Sequence, residues 1–324
     1  MIKRQNVMLH FLKPMSELEL RINNLTQIAN THHLALITEL ETLNQKFREL
    51  KKEVFRALTP LQRLHLVRQA DRPTTLDYIS RILDDWVELH GDRGGGDDTA
   101  LVGGIGILNN LTVVFIGHQR GKNTKDNVLR NFGMPSPGGY RKALRLMQHA
   151  NCFNFPILTF IDTPGAWAGI EAEKLGQGQA IAINLREMFS FRVPIICTVI
   201  GEGGSGGALG IGVGDKILML EHAVYTVATP EACAAILWKN SKLSVEAAEA
   251  LKITSLDLKL LGVIDRIIAE PLGAAQADPY EAAKNLKLAL VQELTSLLNL
   301  PEKKRQYLRY QKFRRIGTFY EKVV

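Results

Sequence analysis

The chain has 324 residues, 46% hydrophobic and 23% charged, with a formal net charge of +7, the proportions of a folded, enzyme-sized protein with a sizeable core. Cys152, Cys197 and Cys233 lie far apart with no CxxC pair, which argues against a disulfide framework or a structural zinc site and predicts buried thiols in a reducing compartment. No apolar run approaches the length of a membrane span, and the opening "MIKRQNVMLHFLKP" has neither a long apolar stretch nor a small-residue cleavage site, so a non-secreted protein without a membrane anchor is expected.

In chain order, Leu18, Ile22, Leu25 and Ala29 form a short helical seam, and Leu36, Leu40, Leu43, Phe47, Leu50 and Val54 form a longer heptad seam. Two helices are expected to pair here, within the chain or with a second one, separated by "NTHH". Thr59-Pro60 stops the second helix and offers an N-cap and a first-turn proline to a third. A helix over 76–90 then leads to "GDRGGGDD", and "ALVGGIGIL" and "LTVVFIGH" flank Asn109-Asn110 as a β-hairpin. Beyond a helix opened by Ser136-Pro137, strands are expected at 156–162, 194–200, 216–220, 223–228 and 263–268. Helices are expected at 176–190, 205–213, 230–239, 244–253 and 279–298, giving an α/β core with right-handed crossovers. From Pro301 onward eight basic residues stand against two acidic ones, interleaved with Tyr307, Tyr310, Phe313, Phe319 and Tyr320. Such a segment reads as a solvated or partner-docking tail outside the core, with nucleic-acid binding the lesser reading.

The stretch "VIGEGGSGGALGIGVGD" (199–215) carries eight glycines after an apolar strand and admits three readings. Gly201, Gly203 and Gly206 make a GxGxxG dinucleotide pattern with Glu221 about 20 residues on, although the helix that follows is short and holds Gly210 and Gly212. Gly203-Gly204-Ser205-Gly206-Gly207 also satisfies the GxSxG nucleophile elbow, with Asp215 and His222 or the earlier His118 as partners. In the third reading the backbone acts: glycines bring the chain close to a ligand, and the first N–H groups of the helix form an oxyanion hole. Close helix packing through small residues is the plain structural alternative.

A second strand-loop-helix unit, "FIDTPGAWAGIEAEKLGQGQAIA", offers Gly165, Ala166 and Trp167 to the same crevice. "GHQRGKNT" (117–124) resembles a P-loop but has three residues between its glycines and Asn123 after the lysine, so no nucleotide is expected there. Lys122, Lys125, Arg141 and Lys142 are candidates for holding an anionic ligand or are simply solvated.

Three long runs together, "GHQRGKNTKDNVLRNFGMPSPGGYRKALRLM", "DTPGAWAGIEAEKLGQGQAIAINLREM" and "VIGEGGSGGALGIGVGDKILMLEHAVYTVATPEACAAILW", resemble the α subunits of bacterial-type acetyl-CoA carboxylase carboxyltransferases. The likeness extends over 15–298 and includes "RPTTLDYI" and "ELHGDR". It implies an α/β, crotonase-like carboxyltransferase fold with an N-terminal helical, coiled-coil-like segment (1–36). A catalytic domain over 37–298 would open with a helical arm at 37–70, and 299–324 would be the basic tail.

The resemblance further implies a zinc-containing β subunit in an α2β2 assembly, a biotin carboxyl carrier protein presenting carboxybiotin, and a separate biotin carboxylase that consumes ATP. Carboxyl would pass to acetyl-CoA, giving malonyl-CoA for fatty-acid synthesis, in a bacterial cytoplasm or plastid stroma. Of the three readings it selects the backbone one: the N–H groups of Gly206 and Gly207 as the biotin-side oxyanion hole, Gly203 and Gly204 shaping the turn, and no metal on this chain. Gly203, Gly204, Ser205, Gly165, Ala166, Trp167, Arg141 and Lys142 are the expected substrate-binding residues. Where many members carry "GAYPGIGAEERGQSE" this chain has "GAWAGIEAEKLGQGQ", without that proline and one acidic residue. A serine hydrolase of related fold using Ser205, and a basic coiled interaction protein, are the alternatives.

Overall fold

The computed structural model of the chain describes residues 9, 11–31 and 37–317. Helices α1 (Lys13–Thr31) and α2 (Ile37–Arg56) pack on each other. Met15 and Ile22 of α1 meet Phe47 and Phe55 of α2, and the cluster continues to Leu58, Leu66 and Ala274. The expected seam is therefore used within the chain; Leu25 and Leu50 remain exposed, and Leu36 lies outside the described residues. Helix α3 (Pro60–Val67) starts with the anticipated cap: Gln62 N donates to Thr59 Oγ1 and Thr59 N to Gln62 Oε1, with Pro60 in the first turn.

Helix α4 (Thr75–Ile82) stops eight residues short of the expected end, and strand β1 (Asp85–Glu88) follows. Leu83 turns to extended backbone and Asp84 N donates to Ile107 O, so pairing with the next strand overrides a spacing that reads as helical. Strands β2 (Leu101–Leu108) and β3 (Leu111–His118) form the hairpin, with Leu108 opposite Leu111. Asn109 and Asn110 have φ of 49° and 64°, the left-handed pair that such a tight turn requires.

There follow α5 (Thr124–Leu129), α6 (Pro137–Phe153), β4 (Ile157–Thr163), α7 (Ile170–Lys174), α8 (Gln177–Ser190), β5 (Ile195–Gly204) and α9 (Ser205–Leu209). The chain continues through β6 (Lys216–Leu220), β7 (Val224–Thr226), α10 (Pro230–Trp238), α11 (Ser244–Ala250), α12 (Ser255–Leu260), β8 (Arg266–Ile268), α13 (Pro279–Leu298) and α14 (Glu302–Arg314). One sheet runs in the order β1-β2-β3-β4-β5-β6-β8, with β7 paired to the end of β5; β1, β2 and β3 are antiparallel and the other pairings parallel. Strands β4 and β5 are buried along their whole length, as central parallel strands covered on both faces must be, which is why they read as unbroken apolar runs.

Over Glu302–Arg314 the basic segment does not hang outside the core; residues 318–324, with Phe319 and Tyr320, lie outside the described residues. Helix α14 lies at the amino ends of β5 and β6 with Arg305 and Arg309 buried. Five hydrogen bonds use every donor of the Arg309 guanidinium: two to Asp215 and three to the carbonyls of Met188, Phe191 and Val193. Lys312 adds bonds to Asp215 O and Asp265, and Phe313 meets Phe189 edge-on at 5.3 Å. Three of the charges that suggested a solvated tail, on Arg305, Arg309 and Lys312, are turned inward onto carbonyls and carboxylates, while Lys303, Lys304, Arg314 and Arg315 are exposed.

Candidate active site

Strand β5 delivers the glycine turn at the carboxyl edge of the sheet. Ser205 takes the left-handed conformation (φ 48°), not Gly207. The glycines are needed for space. A Cβ on Gly204 would stand 2.1 Å from Pro164 O, one on Gly207 2.4 Å from Gly165 C, and one on Gly203 2.7 Å from the Tyr225 ring. Gly206 is different: its nearest neighbour would be Ile181 Cδ1 at 3.8 Å. One side of the turn is thus pressed onto the loop after β4, while the N–H groups of Gly206 and Gly207 belong to a first helical turn and have no acceptor within the helix. From below, Tyr140 Oη donates to Gly207 O at 3.1 Å, and Asn184 Nδ2 donates to Tyr140 O and Gly210 O at 3.1 and 3.0 Å. Helix α9 ends at Leu209, earlier than expected, because Gly210 and Gly212 are poor helix formers.

The second loop is fixed by its own hydrogen bonds. Thr163 Oγ1 donates to Gly165 O, Trp167 N donates to Pro135 O, and Gln177 Nε2 donates to Pro135 O and Trp167 O. Gly165 and Ala166 therefore form the floor against which Gly207 sits, and Trp167 is half-buried just beyond. Arg141 holds the far side of this loop: its Nε donates to Asp92 and its Nη1 to Leu175 O, both at 3.0 Å. Lys142 is not available to a ligand. Its ammonium is buried against Asp97 at 2.5 Å and Asp98 O at 2.8 Å, because position 142 on α6 faces the "GDRGGGDD" loop.

Beside Gly206 opens an apolar groove of about 320 Å³ walled by Leu209, Tyr225, Val227, Leu251, Leu258 and Val263. The elbow reading finds no partners here. Among the described residues the Ser205 hydroxyl makes no hydrogen bond, and Asp215 binds Ile195 N at the opposite end of β5. Nine strand steps, about 30 Å, separate the two. His222 Nδ1 accepts from Arg63 at 2.6 Å, and burial lowers its pKa. His118 is wholly buried, and burial pushes its pKa down to about 3.

A charged network that sequence reasoning missed ties the two loop-bearing strands together. Arg120 bridges Asp162 of β4 (3.1 Å) and Glu202 of β5 (2.8 Å), Asp162 accepts from Glu202 N, and Arg68 grips Glu202 with two bonds. Arg72 does the same to Glu270 while donating twice to Ile200 O. Burial opposes the Glu202 charge, but Arg68 and Arg120 outweigh it and hold its pKa low; for Asp162 burial wins and the pKa rises. A polar cavity of about 340 Å³ lies over this network. The available signal was a carboxylate at the end of each fully apolar strand, with Gly201 leaving room: a Cβ there would stand 2.3 Å from Asp162 Oδ1.

Residues 8–317 match the family model described as acetyl co-enzyme A carboxylase carboxyltransferase-like. The chain is 71% identical to the acetyl-coenzyme A carboxylase carboxyl transferase subunit alpha of Gracilaria tenuistipitata var. liui, over 98% of this chain and 97% of that one. The subunits of the same name from Antithamnion sp. and Crocosphaera subtropica are 70% and 63% identical, over 99% and 98% of this chain and 100% and 96% of theirs. Among solved structures, a malonate decarboxylase heterodimer from Pseudomonas superposes with a TM-score of 0.59 at 17% identity, over 74% of this chain and 97% of that one. The transcarboxylase 12S core superposes at 0.53 and 21% identity; 65% of this chain matches 40% of that longer one. These structures share the crotonase-like carboxyltransferase fold, and with both the family model and close relatives spanning nearly its full length, the chain belongs to the acetyl-CoA carboxylase carboxyltransferase α-subunit family.

Proposed function

We propose that this chain forms the biotin side of a carboxyltransferase that moves a carboxyl group from carboxybiotin on a carrier protein to acetyl-CoA, giving malonyl-CoA. The observation that carries the reading is the asymmetry of the glycine turn: Gly204 and Gly207 are locked onto Pro164, Gly165 and Ala166, while Gly206 faces an open apolar groove. When bound, the carboxylated ring supplies the carboxyl unit and an oxygen that gains negative charge as that unit leaves. The N–H groups of Gly206 and Gly207 hold that charge, aided by the short helix behind them. Leu209, Val227, Leu251 and Leu258 receive the apolar body of the ring and keep out water, which strengthens both hydrogen bonds. Gly203 and Gly204 shape the approach, Ser205 sets the turn, and Trp167 closes the side of the loop; no side chain acts as a nucleophile.

The groups that bind acetyl-CoA, and the zinc site, belong to a β subunit in an α2β2 assembly, and ATP is used by a separate biotin carboxylase. Relatives from red algae and cyanobacteria support a stromal or bacterial cytoplasmic address. The test is to assay this chain alone, the β subunit alone and the mixture, following malonyl-CoA decarboxylation with biocytin. Activity is expected only in the mixture, and robust turnover by this chain alone overturns the assignment.

A further inference from the structure

The peptide planes on either side of Gly207 are each held from beneath. Gly206 O and the Gly207 N–H belong to one plane, so whatever fixes that carbonyl also aims that donor. Gly206 O accepts from Gly210 N at 3.0 Å, the return bond of a helix only five residues long, which is too short to hold its own shape. The shape comes from two neighbouring helices. Asn184 of α8 donates through Nδ2 to Gly210 O at 3.0 Å and to Tyr140 O of α6 at 3.1 Å. The Tyr140 ring lies so close under Gly210 that a Cβ there would stand 2.5 Å from its Cε1, and its hydroxyl holds Gly207 O at 3.1 Å. Both side chains are wholly buried. Burial pushes the Tyr140 pKa up, so the hydroxyl keeps its proton and remains a donor. Asn184 Oδ1 is buried with no donor among the described residues, a destabilising orphan that an apolar side chain would lack. The amide is present in spite of that, with its donors spent on main-chain carbonyls at and beneath the glycine turn.

We infer that Tyr140 and Asn184 are positioning residues: together they fix the direction of the Gly207 N–H before any charge develops in front of it. The inference rests on the reading above, in which that N–H is one of the two donors. Tyr140 holds the plane that follows Gly207, and Asn184, acting through Gly210, holds the plane that precedes it. A donor aimed in advance does not have to reorganise as the oxygen gains charge, so the brace lowers the barrier and leaves ground-state binding almost untouched.

The test is Tyr140→Phe in the full chain, which removes one oxygen and leaves the ring under Gly210. With saturating β subunit, kcat should fall about 10- to 100-fold, part of what loss of a whole donor costs, while KM for biocytin stays within about twofold. Hydrogen exchange read by mass spectrometry should quicken at least about tenfold over 206–209 and stay as it was over β4 and β6. Tyr140→4-aminophenylalanine returns an N–H donor to the same place and should recover most of kcat; Tyr140→4-methylphenylalanine fills the space without a donor and should not. Should Tyr140→Phe misfold, Asn184→Ala, on the other helix, carries the same expectations for kcat, KM and exchange. A raised KM with unchanged kcat overturns the inference, and so does recovery by the methyl variant, unchanged exchange over 206–209, or quickened exchange with normal kcat. A wild-type pair that assembles without carboxyl transfer would instead sink the functional reading, and the exchange rates would still judge the brace.

Discussion

The two ends of the sheet treat buried charge in opposite ways. At the amino end Arg309 and Asp215 satisfy each other and the carbonyls around them so fully that nothing remains for a ligand; their task is to clamp α14 onto β5. At the carboxyl end Arg120, Asp162 and Glu202 tie β4 to β5, and what they leave over is backbone: the N–H groups of Gly206 and Gly207 beside an open groove. Buried charge therefore marks architecture at both ends. The proposed site is where, among the described residues, donors lack a partner next to space that water or a ligand can enter.

The comparison breaks most visibly at the clamp. Arg309→Met leaves Asp215 buried without its cation, which should cost about 3–5 kcal/mol of stability and lower the melting midpoint by many degrees. The rate per folded molecule, measured with saturating β subunit below the new midpoint, should stay within twofold. A collapse of kcat with normal stability would mean that α14 belongs to the site. At the other end the proportions reverse: Gly207→Val should lose about 10²–10³ in kcat because it pushes a donor off the Gly165-Ala166 floor. Gly206→Ala, whose Cβ enters open space, should lose far less. Equal losses in both would show that packing, rather than donor placement, limits the rate.

A pH titration sharpens the same contrast, because His118 lies wholly buried on β3. Its folded pKa, near 3, is below its ordinary value of 6.5, so the unfolded chain takes up a proton that the folded chain refuses. Stability from this group is complete above pH 6.5 and falls as pH drops toward 3. By pH 5 the loss should be about 2 kcal/mol. His118→Leu should flatten that part of the stability curve in chemical denaturation between pH 7 and 5. An unaltered slope would place the acid sensitivity elsewhere, His222 being next in line.

Local chemistry made much of this legible beforehand. The Asn109-Asn110 turn, the Thr59-Pro60 cap and the apolar runs of β4 and β5 declare themselves through residues adjacent in sequence. Strand β1 did not, since four residues alternate too briefly to outweigh the helical spacing running on from α4. Helix α14 was hidden because its inward face is built of Arg305 and Arg309, which composition assigns to water. The Arg120 bridge was hidden because its partners lie 42 and 82 positions away, a separation that no local pattern encodes. Arg141 and Lys142 looked free for the same reason: their carboxylates sit in a loop 49 and 45 positions upstream.

The smallest expected effect is the most discriminating. Ser205 sits where a nucleophilic elbow would put its serine and even has the left-handed backbone that such a turn requires, yet among the described residues its hydroxyl bonds to no histidine and Asp215 is at the far end of the strand. Loss of a covalent nucleophile costs many orders of magnitude. In Ser205→Ala the backbone N–H groups stay where they are, and alanine tolerates φ of 48° about as badly as serine does, so neither the donors nor the strain changes much. The rate with saturating β subunit should fall at most about tenfold, or about 1.4 kcal/mol in barrier. Ser205→Gly, which relieves the backbone, should keep a similar rate and gain up to about 1 kcal/mol of stability. A dead Ser205→Ala enzyme beside a near-normal Gly207→Val enzyme would return the chemistry to the hydroxyl and remove the backbone donors from the mechanism.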